Sequence, residues 1–385
     1  MMEAYLDNSA TTKCYEEVKD IVIKTMMEDY GNPSSMHRKG VEAERYLKEA
    51  ASVLAGLLKV QEKEIYFTSG GTESNNWALA GVALANQRRG RHIITTEIEH
   101  AAVAAPIAAL EEQGFRVTRL KVSREGLVDL EMLENAITDE TSLVSVMYVN
   151  NEIGSVEPIQ KIGELIKKKN PNTYFHVDAI QAFGKYRIFP KRMKIDLFSA
   201  SGHKIHGPKG VGLLYIGDKV KIHPMILGGG QQGGMRSGTD NVPGAAGLAV
   251  AARKIYSSLE ENTAHMYQLK KHLADGLAEM DQVVIHGMAQ EEGAPHILNA
   301  SFLGIRSEVL LHTLEDREIY VSAGSACSSH KRSGSATLKA IGCTKAEMES
   351  AVRFSFCETT SLEEIDYTLE VLKEVAPMLR KYTRR

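Results

Sequence analysis

Cysteine is scarce in this sequence. There are four in 385 residues (Cys14, Cys327, Cys343 and Cys357), and no two of them form a C-x-x-C pair. That excludes a zinc ribbon and a thioredoxin-like redox motif. So few thiols in so long a chain predict a reducing, cytoplasmic setting. The start, Met1 to Asp7, lacks the basic and apolar regions of a signal peptide. No apolar run is long enough to span a bilayer, so no membrane partner is expected. Neither sign of charge dominates: 46 Lys and Arg face 49 Asp and Glu, a net charge of -3. That balance argues against a broad nucleic-acid surface and against direct nucleic-acid binding. The basic tail from Arg380 to Arg385 reads as cations at a helix C-terminus. Repeats, low-complexity segments and a Walker lysine pattern are also missing. Gly228, Gly230 and Gly233 match G-x-G-x-x-G in spacing, but they do not join a strand to a helix, so no dinucleotide site is expected there.

What is present is ordinary globular material, 43% hydrophobic and 25% charged, enough for a large and a smaller domain. Strand-like and helical runs alternate from Ile65 onward. Strands are expected at 65–68, 92–96, 116–122, 143–149, 174–177 and 195–199. Helices are expected at 77–85, 101–113, 130–137 and 159–169. The alternation predicts a mostly parallel sheet with helices on both faces. Beyond Gly228 one long helix is expected from Pro243 to Met280, running out of the large domain. A smaller α/β unit follows, with strands near 283–285, 298–302, 320–321 and 352–354. Ser361 and Glu364 make a capping box that opens the last helix.

In open α/β sheets ligands gather at the carboxyl ends of the strands, and five expected strands end in chemistry. Ser69-Gly70-Gly71-Thr72 precedes a helix, where free N–H groups and a hydroxyl can hold a phosphate. His100 follows the second strand and can stack on a ring and shuttle a proton. Asn150, Asn151 and Glu152 follow another. Asp178 ends a fourth, with Gln181 beyond it; a carboxylate there can hold a pyridine nitrogen protonated. Ser201, His203 and Lys204 follow the fifth. A partly desolvated lysine at that position can bond to an aldehyde. Together these residues describe a site for a charged aromatic cofactor.

Cys327 stands among small, polar and cationic residues, Ser322 to Ser335, a setting that lowers a thiol's pKa and makes it nucleophilic. The stretch from Gly324 to Ala336 carries no bulky apolar anchor and spans about 10–20 Å, enough to enter a pocket and leave it. Cys357 ends an apolar run and reads as core; Cys14 and Cys343 read as structural.

These segments resemble the NifS/IscS family of cysteine desulfurases, on the class V aminotransferase fold. The segments that carry the resemblance run in order from Tyr5–Thr12 and Gly31–Ser35 through Thr68–Asn76, Glu97–His100, Val149–Gly154, His176–Gln181 and Ser201–Gly210. They continue with Met235–Thr239, Gly324–Cys327 and Val352–Ser355. The resemblance implies fold type I of the pyridoxal 5'-phosphate (PLP) enzymes. A large domain, 14–258, would carry a mostly parallel seven-stranded-type sheet. Residues 1–13 plus 259–385 would form a smaller α/β domain bearing the catalytic cysteine.

It further implies that Lys204 bonds to the cofactor and that Gly71, Thr72, Ser201 and His203 hold its phosphate, with Thr239 reaching in from a partner subunit. Asp178 would pair with the ring nitrogen, Gln181 with the phenolic oxygen, and His100 would stack on the ring. Asn151, Arg353 and Asn32 would bind the substrate, Arg353 as a bidentate fork. Cys327, Lys204 and His100 would be catalytic, and no metal is implied. The expected reaction takes L-cysteine to L-alanine and leaves a persulfide on Cys327. A homodimer and a sulfur-accepting protein, an iron–sulfur scaffold or a tRNA-thiolation enzyme, are the expected partners. Gly71 stands where many relatives have alanine. A selenocysteine lyase or a class V aminotransferase is the alternative; a thiol at 327 separates them, since transamination needs none.

Overall fold

The first strand is short. β1, Ala4–Tyr5, pairs in parallel with a strand more than three hundred residues later. Two helices follow, Glu16–Met27 and Arg38–Leu58. The alternating region then builds β2 (Ile65–Thr68), β3 (His92–Thr96), β4 (Arg116–Leu120), β5 (Thr141–Met147), β6 (Tyr174–Asp178), β7 (Leu197–Ser201) and β8 (Gly212–Ile216). The computed structural model describes residues 2–288, 291–323 and 334–383.

These seven strands form one sheet in the order β2-β8-β7-β6-β5-β3-β4. Only β8 runs against its neighbours, so β2, β3, β5, β6 and β7 all end on the same edge. Side chains alternate between faces, as period-two geometry requires. Leu143, Tyr174, Leu197 and Leu214 pack with Trp77, Val103 and Ile107 on one face. Their successors Val144, Phe175, Phe198 and Tyr215 pack with Leu54, Ile162 and Ile255 on the other. Apolar helices therefore cover both faces, as a parallel sheet needs.

The expected single helix over 243–280 is two helices, Val242–Ser257 and Leu259–Ala278, which break at Ser258. The break has a packing cause. Ile255 and Tyr256 of the first helix belong to the core of the large sheet. Met266, Leu269, Leu273 and Leu277 of the second belong to a different core, with Ala4, Leu6 and Phe354. A straight rod could not turn its apolar stripe toward both.

The second core lies on a four-stranded antiparallel sheet. Its strands are β9 (Val283–His286), β10 (Ile297–Phe302), β12 (Ser322–Ala323) and β13 (Ala351–Ser355), in the order β12-β13-β10-β9. β11, Ile319–Tyr320, is the strand that receives β1. The last helix, Leu362–Thr383, opens with the expected reciprocal cap. Ser361 N–H donates to the Glu364 carboxylate at 2.6 Å, and Glu364 N–H donates to Ser361 Oγ at 3.2 Å.

Candidate active site

The chain turns sharply after β2. Gly70 has φ +151°, a conformation open to glycine and strained for other residues. The turn aims the N-terminus of the helix Gly71–Asn86 into a hollow of about 460 Å³. Gly70, Gly71, Thr72, Ser201 and His203 line it. Exposed N–H groups at such a terminus suit a phosphate. A bidentate Arg236–Glu73 pair at 2.9 and 3.1 Å braces the first turn of this helix.

The hollow opens into a cavity of about 290 Å³. His100, Asn151, Asp178, Gln181, Ser201, His203, Lys204 and Arg353 line it together with Gly71 and Thr72. All but Arg353 arrive from the ends of five strands of the large sheet, β2, β3, β5, β6 and β7. His100 caps the helix Ala101–Glu112, and its Nδ1 accepts the N–H of Ala102 at 3.0 Å. The neutral ring therefore carries its proton on Nε2. Asn150 accepts the N–H groups of Glu152 and Ile153 on its Oδ1, at 2.9 and 3.0 Å, which fixes the turn bearing Asn151.

Asp178 ends β6 in a buried position. Asn75 Nδ2 donates to one oxygen at 2.8 Å and Ile180 N–H to the other at 3.0 Å. Burial still raises its pKa, against the pull of those donors and of His100 and Lys204. A cationic ring N–H would relieve that cost. Lys204 sits in a short 3₁₀ turn, Gly202–Lys204, after β7, and its Nζ donates to the carbonyls of Ser9 and Ala10 at 2.5 and 2.7 Å. His203 is held near pH 4 by burial and by the neighbouring Lys204 and Lys209, so its imidazole is a neutral partner.

Arg353 reaches in from β13, nearly buried. Its NH1 donates to the Asn151 carbonyl at 2.7 Å and its NH2 to Asp7 Oδ1 at 2.8 Å. Its Nε is buried and has no hydrogen-bond partner among the described residues. The guanidinium gives the cavity a fixed positive charge suited to a carboxylate. The donor set fits PLP: a helix terminus for the phosphate, a buried carboxylate for a pyridinium nitrogen and a lysine amine for the aldehyde.

The aminotransferase class-V family pattern matches residues 4–368. The chain belongs to the class-V aminotransferases. It falls among their NifS/IscS cysteine desulfurases, which are PLP enzymes. It is 43% identical to a cysteine desulfurase IscS of Methanosarcina thermophila over 98% of this chain and 92% of that one. It is 44% identical to a NifS/IcsS protein homolog of Lactobacillus delbrueckii subsp. bulgaricus, over 96% of each. A solved NifS-like protein superposes with a TM-score of 0.93 at 40% identity, covering 98% of this chain and all of that one. A second structure, SspA in complex with cysteine, superposes with a TM-score of 0.81 at 32% identity, covering 93% of this chain and all of that one.

Asn32, expected to bind the substrate, and Thr239, expected to reach in from a partner subunit, lie outside this protomer's cavity lining. Asn32 is exposed and lines a separate hollow with Tyr30, Ser35 and His37. Thr239 is exposed beside the buried Ser237. Cys327 lies outside the described residues.

Sequence reasoning missed three contributors. The Ser9 carbonyl receives both Lys204 and, at 3.0 Å, Gln181 Nε2. Asp7 holds the Arg353 fork. Ile180 lines the cavity, and a Cβ on Gly71 would stand 2.2 Å from its Cδ1. The Ile180 methyl thus occupies the room an alanine at 71 would need. The signal for Ile180 was available in the sequence, as a bulky apolar residue between Asp178 and Gln181.

Proposed function

We propose that this protein is a desulfurase that moves the sulfur of L-cysteine onto Cys327 and passes it to an acceptor protein. The observation that carries the reading is the convergence of Lys204, Asp178, His100, Asn151 and Arg353 on one cavity. PLP, when bound, supplies the electron sink for charge that develops at the substrate Cα. Arg353 and Asn151 grip the substrate carboxylate and fix the direction of its side chain. The Lys204 amine, once free, takes the Cα proton. His100 presents Nε2–H toward the cavity, where it can give or take a proton. The Cys327 thiolate attacks the substrate sulfur and breaks the carbon–sulfur bond. The sulfur stays on Cys327 as a persulfide, and the three-carbon remainder takes one proton at Cβ, regains the other at Cα from Lys204, and leaves as L-alanine.

We assign the working unit as a cytoplasmic homodimer. Exposed apolar side chains support it: Met36 is fully exposed and Met27 is 73% exposed, with Tyr30 and Leu227 similarly bare. In such a dimer Asn32 and Thr239 would complete the partner's site. The acceptor would be an iron–sulfur scaffold or a tRNA-thiolation enzyme.

The decisive variant is Cys327→Ala. It should abolish persulfide formation from L-cysteine and keep the visible absorption of bound PLP. Full desulfurase turnover by that variant would overturn the reading. Sedimentation of the holoenzyme tests the dimer: a fully active monomer would remove the roles of Asn32 and Thr239.

A further inference from the structure

Two residues beyond Lys204, and outside the lining of the cavity, begins a cluster of three side chains able to hold a metal. We propose that His206, Cys357 and Glu358 form a site for a thiophilic divalent cation of the zinc class. His206 Nε2, Cys357 Sγ and a Glu358 carboxylate oxygen all lie within 4.8 Å of one another. His206 and Cys357 are 3% and 5% exposed. Tetrahedral zinc holds such ligand atoms about 3.5 Å apart. His206 Nε2 and Glu358 Oε2 already stand 3.2 Å apart, and the thiol has at most about 1 Å to close.

The surroundings orient the imidazole as metal sites do. His206 Nδ1 lies 2.7 Å from the Lys13 carbonyl, so in the neutral ring Nδ1–H donates there. That leaves the Nε2 lone pair facing the thiol and the carboxylate. Nε2 and Glu358 Oε2 are both buried, and among the described residues neither makes a hydrogen bond beyond this paired cluster. The Tyr15 hydroxyl donates to the other Glu358 oxygen, and its ring stacks on His206 with centroids 4.5 Å apart. This leaves the fourth position for water.

Charge also balances. In the metal-free cluster a proton between His206 and Glu358 plays the cation. A divalent ion replaces that proton and the thiol proton, and meets one carboxylate and one thiolate. The buried Lys185, whose Nζ lies 3.4 Å from the Lys204 carbonyl, remains outside the ligand set. N, S and O donors in a small closed site favour zinc over magnesium or calcium. A bound ion would tie the segment after Lys204 to the end of β13.

The test uses the full-length, PLP-loaded protein. It is incubated with zinc sulfate and dialysed against a weak chelator, and its metal content is measured. The wild type and Cys327→Ala should each retain about one zinc per chain. Cys357→Ser and His206→Gln should retain at least about tenfold less. Cobalt(II) in place of zinc should give intense tetrahedral bands at wavelengths beyond the PLP absorption, and Cys357→Ser should abolish them. Equal zinc in wild type and Cys357→Ser overturns the proposal, as does loss of zinc in Cys327→Ala. Should Cys357→Ser fail to bind PLP, Glu358→Gln takes its place: zinc retention at the wild-type level in that variant also overturns the proposal.

Discussion

The two sheets contribute to the cavity unequally. The seven-stranded sheet delivers a group from five strand ends, because its parallel strands point one way and their crossover helices begin just beyond. The four-stranded sheet is antiparallel, so its strand ends fall on two edges, and it contributes Arg353 from within a strand. One sheet gathers chemistry by topology; the other lends a single cation through side-chain length. The turn of the large sheet should therefore tolerate least, and the smaller sheet should set affinity.

Two experiments press on that contrast. Lys204→Ala removes the amine at the end of β7 and should lower kcat by about 10⁴-fold, measured as alanine release. Arg353→Lys keeps the charge and loses the planar fork; kcat/KM for L-cysteine should fall by about 10–100-fold, mostly through KM. If Arg353→Lys costs kcat as much as Lys204→Ala does, the division of labour between the sheets is wrong.

The smallest effect concerns Glu99, half-buried after β3 with its carboxyl turned inward, where Oε1 accepts from Thr96 Oγ1 and Met147 N–H. Burial lifts its pKa from 4.5 to about 8. Between those values the folded protein keeps a proton that the unfolded chain has lost. Stability should therefore fall as pH rises through that window and level off above it. Glu99→Gln should remove a share of that fall, on the order of 2 kcal/mol between pH 5 and 8, in urea unfolding. Glu157, raised to about 8 by its own burial, would keep the rest.

Much of this fold could be read in the residues. The strands at Ile65–Thr68 and His92–Thr96 and the helix Ile159–Lys169 have the expected bounds, because period and flanking residues agree there. β8 escaped notice. Its run Gly212–Ile216 is short and apolar, but it follows a strand directly instead of a helix, and alternation gave no reason to place it. The break at Ser258 carries no proline or glycine; its trace is the acidic pair Glu260–Glu261 in the first turn of the second helix. Most cavity residues were legible because they cluster at the ends of strands in the large sheet. The His206–Cys357–Glu358 cluster was not, since its members are far apart in sequence and only folding brings them together. Asp7 and Ser9 were hidden in a segment whose contribution is largely backbone carbonyls.

The pairing of β12 with β13 has a further consequence. Ser322 sits opposite Arg353, and Ala323 opposite Val352. Cys327 follows Ala323 by only four residues, so its Cα is leashed within about 14 Å of that root. On the proposed function, the acceptor atom must come within a side-chain length of this radius, on the same side of the molecule as the root beside Arg353. Loading and delivery thus share one neighbourhood, and an acceptor docked while cysteine is entering would stand in its way.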